Sequence, residues 1–282
     1  MLMKINFSIG EAVIKRYSVR NYIEQEIETD KRKAIESFVD SLGNPFGKKV
    51  SFHFLDNNEM KNEKSLGTYG VIKGARQYIG TTIKSEQMAL EALGYELEAV
   101  ILYLAHLDIG TCWLGGTFNR KGFAKAMNIQ EDEMFPIITP YGYAATKKHF
   151  QEIVMRKMIG ADNRKEWGQL FYKDDFQSLL NKEEAGDMEF PLEMVRLGPS
   201  ASNKQPWRVL LKDNVYHFYE YKEPGYSDRF SYDIQRVDMG IAAAHFDFAV
   251  KEKGLKGYFD TTVQPELKPL DHMEYVFSWI RE

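Results

Sequence analysis

Three short stretches of this chain carry residue types suited to gripping a flat molecule with polar edges and an anionic end. The first is "GPSASNKQPW", residues 198–207. Gly198-Pro199 and the small residues that follow make a tight turn whose backbone can approach another group closely. Asn203 and Gln205 add two amides, each able to donate and accept hydrogen bonds. Trp207, at the head of the apolar run "RVLL", reads as core. The second stretch is "RYSVR", residues 16–20. Side chains alternate along an extended segment, so Arg16, Ser18 and Arg20 share a face. Two guanidinium groups around a hydroxyl suit a phosphate or a polyol chain, because Arg makes forked, charge-assisted bonds to phosphate oxygens. The triplet also fits a surface strand whose arginines are solvated or paired with the following "EQEIE". The third stretch is "TCWLGG", residues 111–116. Gly115 and Gly116 expose backbone N–H groups without side-chain bulk and can lie against a planar ring, although a helix C-cap and loop use glycines equally well. Arg164 and Lys165 can add positive charge to a phosphate site or simply stand among the exposed bases.

Other catalytic signatures are missing. The sequence has no Gly-x-Gly-x-x-Gly, no Walker loop and no Gly-x-Ser-x-Gly elbow. Its histidines (53, 106, 149, 217, 245 and 272) form no His-x-x-x-His pair and have no carboxylate at ligand spacing, so no metal site is expected. His53 and His217 fall in strands and read as packing or surface residues. With no candidate for side-chain acid, base or nucleophile, a cofactor is expected to carry any reaction.

Positioning such groups needs a framework, and 282 residues suffice for one large domain or two smaller ones. The composition, 44% apolar and 28% charged with a net charge of −4, is that of a soluble globular protein and offers no basic face for nucleic acid. One cysteine, Cys112, excludes an internal disulfide framework and suits a reducing compartment. The start "MLMKINFSIGEAVIKRY" interrupts its apolar residues, and the longest apolar run, "AVILYLA", is far too short to span a membrane. A cytoplasmic protein is expected.

Residues 9–15 read as a short helix, "YSVRNYI" as extended, and a second helix as starting at Thr29 or Asp30 and running to about Leu42. "KKVSFHFLD" and "ARQYIGTTI" read as strands, and Ser85–Asp108 as a long buried helix that is apolar nearly all round. A short helix at "RKGFAKAMNI" and a strand at "FPIITPYGYA" follow. The polar stretch from Thr146 to Asp187 shows little β character and reads as an arm wrapping over the domain. "PLEMVRLG" reads as a helix, and "WRVLLKDNVYHFYEY" as two strands joined at Asp213-Asn214. The second half repeats the first in outline. "LYLAHLDIGTCW" and "DFAVKEKGLKGYF" align Ala105 with Ala249 and Gly110 with Gly254, both 144 apart (249 − 105, 254 − 110). The expected halves are 1–180, including the arm, and 181–282.

In combination, "RYSVR", "GTCWLGG" and "PSASNKQPW" resemble the flavin-dependent nitroreductase family over nearly the whole chain. The resemblance implies an α+β, nitroreductase-like fold with a mostly antiparallel sheet and buried central helices. It implies FMN as cofactor and NAD(P)H as electron donor, with a small planar acceptor such as a nitroaromatic or a quinone. In that family the flavin lies at a homodimer interface, with the arginines from one subunit and the Ser/Asn turn from the other. Here the first-half counterpart of the turn, "DSLGNPFGKKVSF", lacks the Ser and the Gln-Pro-Trp, and the second half lacks an Arg-x-Ser-x-Arg. The chain therefore resembles a branch with two nitroreductase-like halves fused as an internal pseudo-dimer, keeping one flavin site of two. On this resemblance Arg16, Ser18 and Arg20, with Tyr17 between them, hold the phosphate and ribityl chain, with Arg164 adding charge. Ser200 and Asn203 meet the isoalloxazine edge, Pro199, Ala201 and Gln205 shape the turn, and Leu114, Gly115 and Gly116 approach the ring near N5. No nucleic acid or membrane partner is implied, and either a monomer or a homodimer fits. The alternative is a degenerate relative that keeps the fold without redox turnover.

Overall fold

A helix with almost no exposed face organises each of two units in the computed structural model of this chain, Met1–Ala161 and Asp162–Glu282. The structure describes residues 5–56, 66–145 and 163–282. In the first unit, α1 (Ile9–Lys15) is capped by the Ser8 side chain, which accepts from the Glu11 N–H. Then come α2 (Thr29–Asp40), β1 (Ser51–Asp56), β2 (Gln77–Lys84), α3 (Ala89–His106), β3 (Gly110–Thr111), α4 (Arg120–Ala126) and β4 (Glu133–Gly142). The strands form an antiparallel sheet in the order β1-β2-β4-β3. Every α3 residue from Ala89 to Ala105 except Tyr103 is buried, as the apolar pattern predicts. The helix starts four residues later than its apolar spacing suggests, because Met88 adopts a left-handed conformation (φ 63°) in the turn from β2.

The second unit holds β5 (Phe171–Lys173), β6 (Asp175–Leu179), α5 (Lys182–Ala185), α6 (Glu189–Leu197), β7 (Trp207–Lys212), β8 (Val215–Tyr221), α7 (Gln235–Glu252), β9 (Gly257–Asp260) and β10 (Met273–Arg281). Its sheet runs β6-β5-β7-β8-β10-β9, antiparallel except for the β5–β7 pair. Asp213 and Asn214 close the β7–β8 hairpin with positive φ values (51° and 62°), the geometry a two-residue turn demands. In α7 every residue from Gln235 to Val250 except Arg236 is buried. The expected α+β fold with antiparallel sheets and buried central helices is present.

Two expectations need correction. The described end of the expected arm, residues 163–187, is not an extended polar wrap. It carries β5 and β6, with β5 pairing alongside β7, so the units divide at 161/162 rather than at 180/181. Alternating Tyr172, Phe176 and charged residues hid these short strands. Residues 146–162 lie outside the described residues. The repeat is real in topology but shifted in register: β7-β8-β10-β9 reproduces the order β1-β2-β4-β3, with the long helix after the second strand in each. Both helices end in the same left-handed cap. The Ile109 N–H donates to Leu104 C=O (2.9 Å) and the Leu255 N–H to Val250 C=O (3.0 Å). Asp108 (φ 64°) and Gly254 (φ 68°) occupy the matching left-handed position, which sets the offset at 146 (254 − 108). Asp substitutes for Gly there, so matching the glycines misplaces the repeat by two residues.

Three buried acids make stability pH-dependent. Burial pushes Glu96 of α3 up to about 7 and Glu220 of β8 and Asp238 of α7 up to about 8. A folded value above the unfolded one means that the native state holds a proton which the unfolded chain releases, so stability falls as pH rises through the folded values. Toward acid pH His217 acts oppositely: burial lowers it from 6.5 to about 4, and its contribution is lost as pH falls between those values. Thermal melts should show the midpoint dropping between pH 5 and 8, by about 5–10 °C, and levelling off above pH 8. A flat or rising midpoint over that interval contradicts the assignment.

Candidate functional site

In the first unit, "RYSVR" runs beside β3 and is held by its backbone on both sides. The Val19 N–H donates to Thr111 C=O (2.8 Å), the Tyr22 N–H to Lys73 C=O (2.9 Å) and the Lys73 N–H to Arg20 C=O (2.9 Å). The Tyr22 hydroxyl donates to Val19 C=O (2.9 Å), fixing the segment's middle. Val19 packs so tightly on Gly110 that a Cβ there would lie 2.5 Å from Val19 Cγ2. Arg16 and Ser18 are half-buried and Tyr17 is exposed. Arg20 is buried, at 8% exposure, and its Nε and Nη1 have no hydrogen-bond partner among the described residues. A buried guanidinium in that condition costs free energy unless something else satisfies it. Arg16, Tyr17, Val19, Gly110 and Thr111 help line a cleft of about 190 Å³, at whose edge Lys15 is neutralised by Asp108 (2.6 Å).

The glycine turn lies in the same unit. Leu114 exchanges both backbone hydrogen bonds with Ile138 (3.0 and 3.1 Å), and Arg120 Nη2 donates to Gly115 C=O (2.6 Å). Before the turn, the Trp113 indole N–H donates to the fully buried Glu98 of α3 (2.9 Å). Gly115 is half-buried and Gly116 exposed. From sequence alone Arg120 and Glu98 were missed. The signal for Glu98 was a carboxylate within the buried central helix, a feature it shares with Glu91 and Glu96.

In the second unit the turn from Pro199 to Gln205 is strained. Ser202, Asn203 and Gln205 all have positive φ (49°, 55° and 49°), which costs a non-glycine residue about 1 kcal/mol or more. Several bonds hold it. Ser200 Oγ accepts from the Gln205 N–H (2.8 Å), and the Ala201 N–H points between the two carboxyl oxygens of Asp238 (3.0 and 3.2 Å). Asp238, also missed from sequence, is therefore part of the turn's support. The amides do not face open space as the motif suggests. Asn203 Oδ1 accepts from Arg164 Nη1 (2.9 Å), Asn203 Nδ2 donates to Asn163 C=O (2.6 Å), and Gln205 Oε1 accepts from the Lys165 N–H (2.8 Å). Arg164 also donates to Leu197 C=O (3.3 Å). Pro199 and Gln205 are buried, and Ser200 and Ala201 half-buried. Lys165 is lowered chiefly by burial and further by the charge of Arg208.

The first-unit counterpart of this turn is self-contained. Asn44 Oδ1 accepts from the N–H groups of Phe46 (3.1 Å) and Lys48 (3.3 Å). Its Nδ2 donates to Lys48 C=O (2.7 Å) and to Glu96 Oε1 (2.6 Å). Its amide is spent within the unit. The residues singled out from sequence thus gather into two sets: Arg16–Arg20 with Leu114–Gly116 in the first unit, and Arg164 with Pro199–Gln205 in the second.

The family described as "Putative TM nitroreductase" matches residues 8–250. Among solved structures, a Thermotoga maritima protein described as a "putative nitroreductase" is similar over 99% of this chain and 95% of its own, at 19% identity and a TM-score of 0.62. An FMN-dependent nitroreductase from Clostridium difficile matches 49% of this chain and 88% of its own (18% identity, TM-score 0.41). A Bacteroides fragilis nitroreductase with bound FMN matches 51% and 92% (15% identity, TM-score 0.41). No curated protein matches.

Proposed function

Since the chain belongs to the nitroreductase family matched over residues 8–250, we propose that it is an FMN-dependent oxidoreductase using NAD(P)H and a small planar, electron-poor acceptor such as a nitroaromatic or quinone. The observation that carries this reading is Arg20, a buried guanidinium with two nitrogens lacking hydrogen-bond partners on a segment locked to its sheet. A phosphate or polyol would complete that donor set with charge-assisted bonds. Arg16 and Ser18 stand on the same segment and would share the task, and Tyr17 would cover it from the solvent side. The backbone at Gly115 and Gly116, steadied through Arg120 and Ile138, would approach the ring. Bound FMN supplies hydride and electron transfer that no side chain here provides. The protein's part is to hold, orient and surround with positive charge. We read the two units, with their matching sheet orders, as fused copies of which one keeps the intact turn.

A second reading is favoured by the inward pairing of Asn203 and Gln205, which suits a degenerate relative without turnover. The visible absorption spectrum of the purified protein, before and after added FMN, separates the two. Bound flavin at about one per chain is expected. A protein that stays colourless after soaking in FMN fails the flavoenzyme reading and leaves the degenerate one.

A further inference from the structure

Leu114 pairs with β4, its N–H and C=O both bonded to Ile138 (3.0 and 3.1 Å). In an antiparallel ladder the next residue turns its own N–H and C=O away from the partner strand. Gly115 departs from that rule. Its C=O accepts from Arg120 Nη2 (2.6 Å), and the same nitrogen donates to Pro136 C=O of β4 (3.1 Å) while Nε donates to Phe135 C=O (2.8 Å). The guanidinium therefore lies against β4 and draws the Gly115 carbonyl to that side. No peptide bond among the described residues is cis, so each N–H points opposite to the carbonyl before it. With the carbonyls of Leu114 and Gly115 both engaged on the β4 side, the N–H groups of Gly115 and Gly116 both face away from it. Neither is hydrogen-bonded among the described residues, and Gly116 is exposed. Arg120 itself is well seated. It is the first residue of α4, which Asn119 caps by accepting from the Gly122 N–H (3.2 Å). Its guanidinium also stacks over the buried Phe118 ring, 4.9 Å from the centroid.

We propose that Arg120 is a positioning residue: it turns the Gly115–Gly116 peptide so that a strand end becomes a pair of adjacent backbone donors for the flavin ring at N5. The proposal rests on the flavin reading above and assigns the ring's donors to a side chain that does not touch it. Neighbouring N–H groups on one side of the chain make a concavity suited to an electron-rich atom. A charged donor on the Gly115 carbonyl polarises that peptide and strengthens the Gly116 N–H as a donor in turn. Without Arg120 the Gly115 carbonyl has no charged partner to hold it beside β4, and ladder geometry returns it to the open side. The Gly116 N–H then swings toward β4 and is lost to the ring. An oxidised flavin has a lone pair at N5 that can accept such a bond. A ring with C–H at that position has none.

That difference supplies a test that a general loss of packing cannot imitate. FMN and 5-deaza-FMN, in which C–H replaces N5, are titrated against the full-length flavin-free protein, and the ratio of their dissociation constants is read. The wild type should bind FMN about tenfold more tightly than 5-deaza-FMN. Arg120→Met should bring that ratio to about twofold or less, because only FMN has an acceptor to lose. Arg120→Lys keeps the charge but cannot bridge the carbonyls of Gly115, Phe135 and Pro136 as a fork does, so its ratio should lie nearer to that of Arg120→Met. Thermal melts establish that each variant is folded, and the Lys variant carries the comparison if the Met variant is not. Variants that weaken both ligands equally, leaving the ratio at its wild-type value, make Arg120 structural and overturn the proposal. A wild-type protein that binds both ligands equally overturns it too, while the flavin reading stands. A wild type that binds neither ligand brings down the flavin reading and the proposal with it.

Discussion

Arg20→Met should raise the melting temperature of the flavin-free protein while abolishing its FMN binding. The two effects have one cause. In the native fold the guanidinium is buried with Nε and Nη1 unpartnered, and leaving such a group unsatisfied costs about 1–3 kcal/mol. Met retains an unbranched apolar stem of similar reach and removes the polar atoms. For a chain of this size the gain corresponds to a rise of about 3–8 °C. Losing charge-assisted bonds to a phosphate or polyol should weaken FMN by about 100-fold or more. Arg20→Lys should fall between, since an ammonium cannot reproduce the fork. Differential scanning fluorimetry of the flavin-free proteins and a flavin-quenching titration measure the two halves. A lowered melting temperature with unchanged FMN affinity would mean that Arg20 is structural. Such opposition between fold and function is expected where a site is held ready for a ligand.

Long periodic signals were legible in the sequence and local exceptions were not. α3 and the β7–β8 hairpin follow from residue type, because burial on every side demands a continuous apolar run and Asp213-Asn214 demands a two-residue turn. β5 and β6 did not, because the three-residue β5 is defined by its partner β7, and β6 by its pairing with β5, rather than by any pattern of their own. The repeat was visible, but its register was hidden by Asp108 doing at one helix end what Gly254 does at the other. At the candidate site the motif residues could be named, while their supports could not. Glu98, Arg120 and Asp238 act on groups 15, 5 and 37 positions away in sequence, so only folding brings them there. The inward turn of the Asn203 and Gln205 amides was likewise invisible, since their partners at 163–165 lie about forty residues upstream.

Gly74→Ala should be among the most damaging single substitutions in the first unit and should disable the arginine segment without touching an arginine. Gly74 has φ +73°, and a Cβ there would fall 2.2 Å from the carbonyl oxygen of Tyr22 and 3.1 Å from its carbon. Both obstacles are backbone, so no rotamer change relieves them. The residue before it, Lys73, makes the two hydrogen bonds that fasten Arg20 and Tyr22 to their neighbours. Relief must therefore displace the 20–22 segment or break those bonds. The left-handed conformation alone costs an alanine about 1 kcal/mol, and over-packing adds about 1–3 more, so the melting temperature should fall by about 5–15 °C. Gly70→Ala is the control. Gly70 has nearly the same φ, +78°, but a Cβ there meets nothing within 4 Å. It should cost only the conformational part, about 1 kcal/mol, and leave FMN affinity unchanged, while any folded Gly74→Ala protein should bind FMN at least tenfold more weakly. Equal effects of the two substitutions on stability and on flavin would show that the contact with Tyr22 does not position Arg20.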